Sequence, residues 1–215
     1  MRKINLGKIA GVAAAAAIMA APHAKASLEF VIDNGNSALS GLTPPFGTVT
    51  VTRIDNSDAE ITLTAAPGYS FGGQGMFGLN LAGGGTIGYT LVSATTVNSG
   101  PSITPNSSDS EDGFGSFNYT LREFDGLNYS LTSLTFDLST TSGAWTSDAA
   151  ILTPNGSGLE VVGHVFVDSG PNQGLTGYAA GTPVPEPTTV LAGILLLLPL
   201  GASTIRVMRR GNRFA

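Results

Sequence analysis

The chain predicts an all-β fold: an antiparallel β-sandwich of jelly-roll-like order, flanked by an N-terminal signal peptide and a C-terminal transmembrane helix. Three observations carry this reading. Short runs that alternate apolar and polar residues recur through the middle of the 215-residue chain, and clusters of Gly, Pro, Asn, Asp and Ser separate them. No stretch between the two ends repeats apolar residues at the helical period. Ser, Thr, Asn and Gly dominate that middle part, which has no Lys and few strong helix formers.

Residues 1–26 read as the signal peptide. Arg2, Lys3 and Lys8 form a positive start, 9–21 is an uncharged alanine-rich run, and Ala24 and Ala26 put small residues where a signal peptidase needs them, with cleavage after Ala26. An N-terminal anchor is the competing reading, but the apolar run is short and alanine-rich for a span.

The body follows over 27–169. Residues 46–54 alternate, with Val49 and Val51 on one face, and 60–65 do the same; Asp55-Asn56-Ser57-Asp58 is the turn between them. Residues 69–81 mix Phe71, Phe77, Leu79 and Leu81 with glycine and read as a strand pair or one bulged strand. Residues 86–92 form another strand, and 98–113 form the longest loop. Then come 117–124 and 128–138, the latter switching phase between Leu131 and Leu134, which calls for a bulge near Ser133. Strands at 149–152 and 159–167, around a turn at 154–158, complete eight or nine. A β-solenoid would need a fixed repeat, and none is seen. Residues 170–184, rich in Gly, Pro and Thr, read as a linker.

Residues 188–207 hold no charge until Arg206, just enough to cross ~30 Å of hydrocarbon as a helix. Arg206, Arg209 and Arg210 follow as the basic stop on the cytoplasmic side.

Charge is unevenly placed. All three lysines lie in the signal peptide and four of the seven arginines at the C-terminal end. The body therefore sets Arg53 and Arg122 against fourteen acidic residues, a net of −12. Such a surface repels nucleic acid and anionic lipid. Absence of cysteine removes a thiol nucleophile, a cysteine metal site and disulfide staples.

Candidate sites are few. Asp109, Glu111 and Asp112 cluster three carboxylates in the long loop, where they read either as a Ca²⁺ site or as a solvated charged loop. Asp33-Asn34-Gly35-Asn36-Ser37 offers oxygens at alternate positions and reads as an Asx turn or a second Ca²⁺ ligand set. His164, the one histidine outside the signal peptide, lacks the companions of a zinc site and reads as a packed strand residue. No Gly-x-Ser-x-Gly elbow frames a nucleophile. Trp145 reads as a sugar-stacking platform or a core tryptophan.

Pro185-Glu186-Pro187, then a single apolar span, then arginines at the extreme end form a pattern that resembles the PEP-CTERM sorting signal of Gram-negative bacteria. The resemblance covers about 183–213. It implies export across the inner membrane and processing by signal peptidase and by an exosortase, a membrane transpeptidase. It also implies a membrane-anchored stage followed by the cell surface or extracellular space, in association with exopolysaccharide and biofilm matrix. Two prolines hold such a motif extended, open to an enzyme cleft. The function expected is that of a non-enzymatic surface or matrix protein with a structural or adhesive body. The alternative is a secreted carbohydrate-binding module, Ca²⁺-dependent, on exopolysaccharide.

Overall fold

A computed structural model of the protein describes residues 27–97, 103–123 and 129–185. Among them the chain forms β1 (Leu28–Gly35), β2 (Gly47–Arg53), β3 (Asp58–Ala65), β4 (Tyr69–Phe71), β5 (Phe77–Leu79), β6 (Ile87–Thr96), β7 (Ile103–Asn106), β8 (Asp109–Glu111), β9 (Gly115–Phe117), β10 (Tyr119–Glu123), β11 (Leu131–Thr140), β12 (Val161–Val167) and β13 (Thr176–Val184). Short 3₁₀ turns, among them Ser37–Leu39 and Asp148–Ala150, accompany the strands. The fold is all-β and its pairings are antiparallel.

Alternation drives the local structure. In β2 Val49 and Val51 are buried between half-buried threonines, and in β3 Ala59, Ile61 and Leu63 are buried. The register sets Val49 opposite Leu63 and Val51 opposite Ile61, so both apolar rows face the same core. Asp55 Oδ1 accepts from the amides of Ser57 and Asp58 at 2.7 and 2.9 Å, which closes the turn as an Asx turn. In β11 the pairing shifts between Leu131 and Ser133, and the extra residue returns Leu134, Phe136 and Leu138 to the face that already holds Leu131.

Pairing runs β13-β1-β2-β3-β11-β4-β12, and β12 pairs back onto β13, closing a seven-strand barrel. A sandwich with two separate sheets is therefore not what forms. The reason lies at β3 and β4. With β6 along one edge of β11, β3 and then β4 share the other, and β4 goes on to pair with β12. Hydrogen bonds thus bridge the place where a sandwich has its gap. Residues 69–81, expected as a strand pair or one bulged strand, become β4 and β5, which pair in tandem with β12. β10 and β7 extend the sheet from β5, and β8 and β9 form a separate two-stranded ribbon.

Three expectations are corrected here. Residues 149–152 are not a strand: Asp148 Oδ1 takes the Arg53 amide at 2.7 Å and anchors a 3₁₀ turn, after which Leu152 makes one isolated bridge to Leu81. The long loop contains β7 and β8. The linker expected at 170–184 holds β13, a barrel strand paired with β1 and β12. Its linker-like composition has a packing reason, since a Cβ on Gly181 would lie 2.4 Å from Val161 Cγ2 and 3.0 Å from Phe30 Cβ.

The main core cluster includes Phe30, Ile32, Phe71, Phe77, Phe136 and Trp145. Burial of each such side chain contributes about 1.5–3 kcal/mol. No helix among the described residues is long and apolar enough to cross a membrane. The expected signal peptide (with Ala24 and Ala26), span 188–207 and Arg206, Arg209 and Arg210 lie outside the described residues.

Candidate functional site

Two places come up from the fold: the point where the chain leaves the barrel, and a polar cluster beneath the β8–β9 ribbon.

β13 pairs with β12 through its first half and with β1 through its second, down to Val184 opposite Glu29. Pro185 follows at once and is exposed. Ser27, the residue after the expected cleavage point, precedes β1 at the same end. The opposite end gathers Gly35, Gly47, Ala65, Tyr69 and Thr176. There Leu42, Thr43, Pro67, Tyr69, Pro171 and Asn172 help to line a cleft of about 300 Å³. Of the expected sorting motif only Pro185 is described; Glu186 and Pro187 lie beyond.

The polar cluster forms where β8 lies over the 72–76 loop. Gly75, at φ +71°, leaves room for the Glu111 carboxyl: a Cβ there would lie 2.4 Å from Oε2. Glu111 is 3% exposed and its Oε1 has no hydrogen-bond partner. Burial pushes its carboxyl up to about 7, the nearby Asp109 charge adds to this, and Tyr178 and Arg122 oppose it. The Tyr178 hydroxyl donates to Gln74 O at 3.0 Å, and burial together with Glu111 raises its pKa. The Tyr178 ring stacks on His164 at 4.3 Å and 12°. His164 Nε2 lies 2.6 Å from Thr176 Oγ1, while Nδ1 is buried without a partner, and burial lowers the imidazole to about 4. This is the packed strand histidine, neutral at physiological pH. Phe114 and Phe117 of the ribbon pack on Val162 and Ala180 beside it.

The structure disperses the three carboxylates of the expected Ca²⁺ site. Asp109 pairs with Arg122 at 2.6 Å, Glu111 is buried under Gly75, and Asp112 accepts from Asn36 Nδ2 at 3.2 Å. No group of three His, Cys, Asp or Glu among the described residues is placed to hold a metal ion. In the Asp33–Ser37 segment Asn36 caps the 3₁₀ turn by accepting from Ala38 N, and Asp33 accepts from Thr182 Oγ1 at 2.6 Å, so these oxygens are used within the fold. Trp145 is fully buried, with Nε1 donating to Ala82 O at 3.1 Å; it presents no face to a sugar. Sequence reasoning missed Tyr178 and the burial of Glu111. A tyrosine among Ala and Gly in the expected linker was the one signal at hand.

No protein-family model, curated protein or solved structure matches this chain.

Proposed function

We propose that the protein is an exported bacterial surface or matrix protein. An exosortase sorts it through Pro185-Glu186-Pro187, and the barrel serves as its structural or adhesive body. The observation that supports the reading is local: Pro185, the first residue of the motif, is exposed directly after the last barrel strand. A processing enzyme needs an extended, unpaired segment, and two prolines deny this one to a helix. Both expected tethers leave the same end of the barrel, which leaves the loops of the opposite end facing away from the membrane. The polar cluster of Glu111, Tyr178 and His164 is packed within the fold, and no chemistry is assigned to it. The sugar-binding alternative keeps no support from Trp145 or from the 109–112 carboxylates.

Replacing Pro185, Glu186 and Pro187 together by alanine in the native host tests this. The expected result is a full-length tail retained in the membrane fraction. Unchanged processing contradicts it.

A further inference from the structure

We propose that the cleft between β6 and the β7–β10 pair binds one neutral sugar residue, with the Tyr119 hydroxyl donating to it. The fold opens this cleft by splitting its sheet. β4 meets β11 at Leu131 and β12 over 165–167; beyond it β11 carries β6, while β12 carries β5, β10 and β7. Gly85 and Ile87 from one branch, and Pro105, Ser107, Asn118 and Tyr119 from the other, help to line a cleft of about 340 Å³. That volume falls within the range of small-molecule sites, about 300–1,000 Å³.

One polar group there has nothing to bond. Tyr119 is only 5% exposed, and its hydroxyl has no hydrogen-bond partner among the described residues; the Tyr89 hydroxyl of β6 is likewise without one. A phenol buried only to fill space serves less well than phenylalanine, because a desolvated hydroxyl without a partner destabilises the fold. Burial raises the Tyr119 pKa, and Tyr89 adds to the rise, so the phenol stays protonated and can donate. The rim beside it is fixed: Asn118 Oδ1 accepts from Leu81 N at 2.7 Å, and Nδ2 donates to Leu81 O at 2.8 Å. The cleft at the far end differs, since its Tyr69 hydroxyl already donates to Thr43 O at 3.1 Å.

The lining selects the ligand. No charged side chain lines the cleft among the described residues, and the acidic body repels anions. Ile87 and Pro105 supply apolar surface, while Ser107 and Tyr119 supply hydroxyls. A sugar ring matches both, with C–H groups on its faces and hydroxyls around its edge. The cleft is separate from the sorting motif, so sugar binding and tail processing succeed or fail independently.

The full chain, held in a detergent without a sugar headgroup, is probed by saturation-transfer NMR with methyl glucoside, methyl galactoside and methyl mannoside. Glucuronate and a neutral peptide serve as controls. Binding of one or more of the neutral glycosides is expected, with neither control bound. Tyr119→Phe should weaken that binding about fivefold, the worth of one hydrogen bond, without lowering the melting temperature. Tyr69→Phe, at the far-end cleft, should leave it unchanged. Failure of all three glycosides to bind overturns the proposal, as does equally strong binding of either control. Unchanged affinity in Tyr119→Phe also overturns it, and so does a lowered melting temperature there, which makes the hydroxyl a structural group.

Discussion

Glu29 lies directly opposite Val184, so the first and last strands of the barrel run side by side and the chain enters and leaves at one end. The segment just before the proposed sorting motif is thus a structural strand. Deleting 176–184, which joins Leu175 to Pro185, should abolish cooperative thermal unfolding followed by circular dichroism, because β1 and β12 both lose a neighbour. A wild-type melt would mean that this segment is a spacer after all.

Glu111 gives the fold a pH signature. Its carboxyl moves from an ordinary 4.5 to about 7 on folding, so the folded state holds the proton more tightly. That contribution is complete below about 4.5 and is lost as pH rises through about 7, by at most about 3 kcal/mol. His164 runs the other way. Its folded value of about 4, against 6.5, contributes stability above 6.5 that is lost as pH falls towards 4. The two oppose each other over much of the same range. Glu111→Gln should match the wild type near pH 4.5 and melt at a higher temperature at pH 8. Equal melting temperatures at pH 8 would show that Glu111 is not held in a desolvated site.

Phe71 is packed against two bare backbone positions. A Cβ on Gly163 would sit 2.6 Å from Phe71 Cε1, and one on Gly47 would sit 2.8 Å from Cζ. Gly163→Ala should cost about 1–3 kcal/mol by overpacking. Phe71→Leu in the same background should recover part of it, as read by urea denaturation. A Gly163→Ala variant as stable as the parent would contradict this packing.

These outcomes also mark what was legible in the residues. β2 and β3 alternate cleanly and fold as read, and β11 carries the bulge beside Ser133 where its phase changes. β1 was hidden because Asp33-Asn34-Gly35 has turn composition, although all three residues belong to the strand. β13 was hidden for a related reason: Gly177 and Gly181 suit a flexible spacer and equally suit a strand pressed against Leu39, Phe30 and Val161. Alternation gives the burial period of a strand but not its neighbours, so nothing local says that β4 bridges β11 to β12. The carboxylates at 109–112 form a cluster by sequence and separate in space, because β8 turns Glu111 inward while Asp109 and Asp112 find partners on other segments.

The intact mass of the mature protein, measured fraction by fraction from its native host, decides whether the tail is processed. Exosortase sorting predicts a chain that starts at Ser27 and ends near Pro187. A membrane-bound chain that still carries Arg206, Arg209 and Arg210 would contradict exosortase sorting and make the tail a plain anchor.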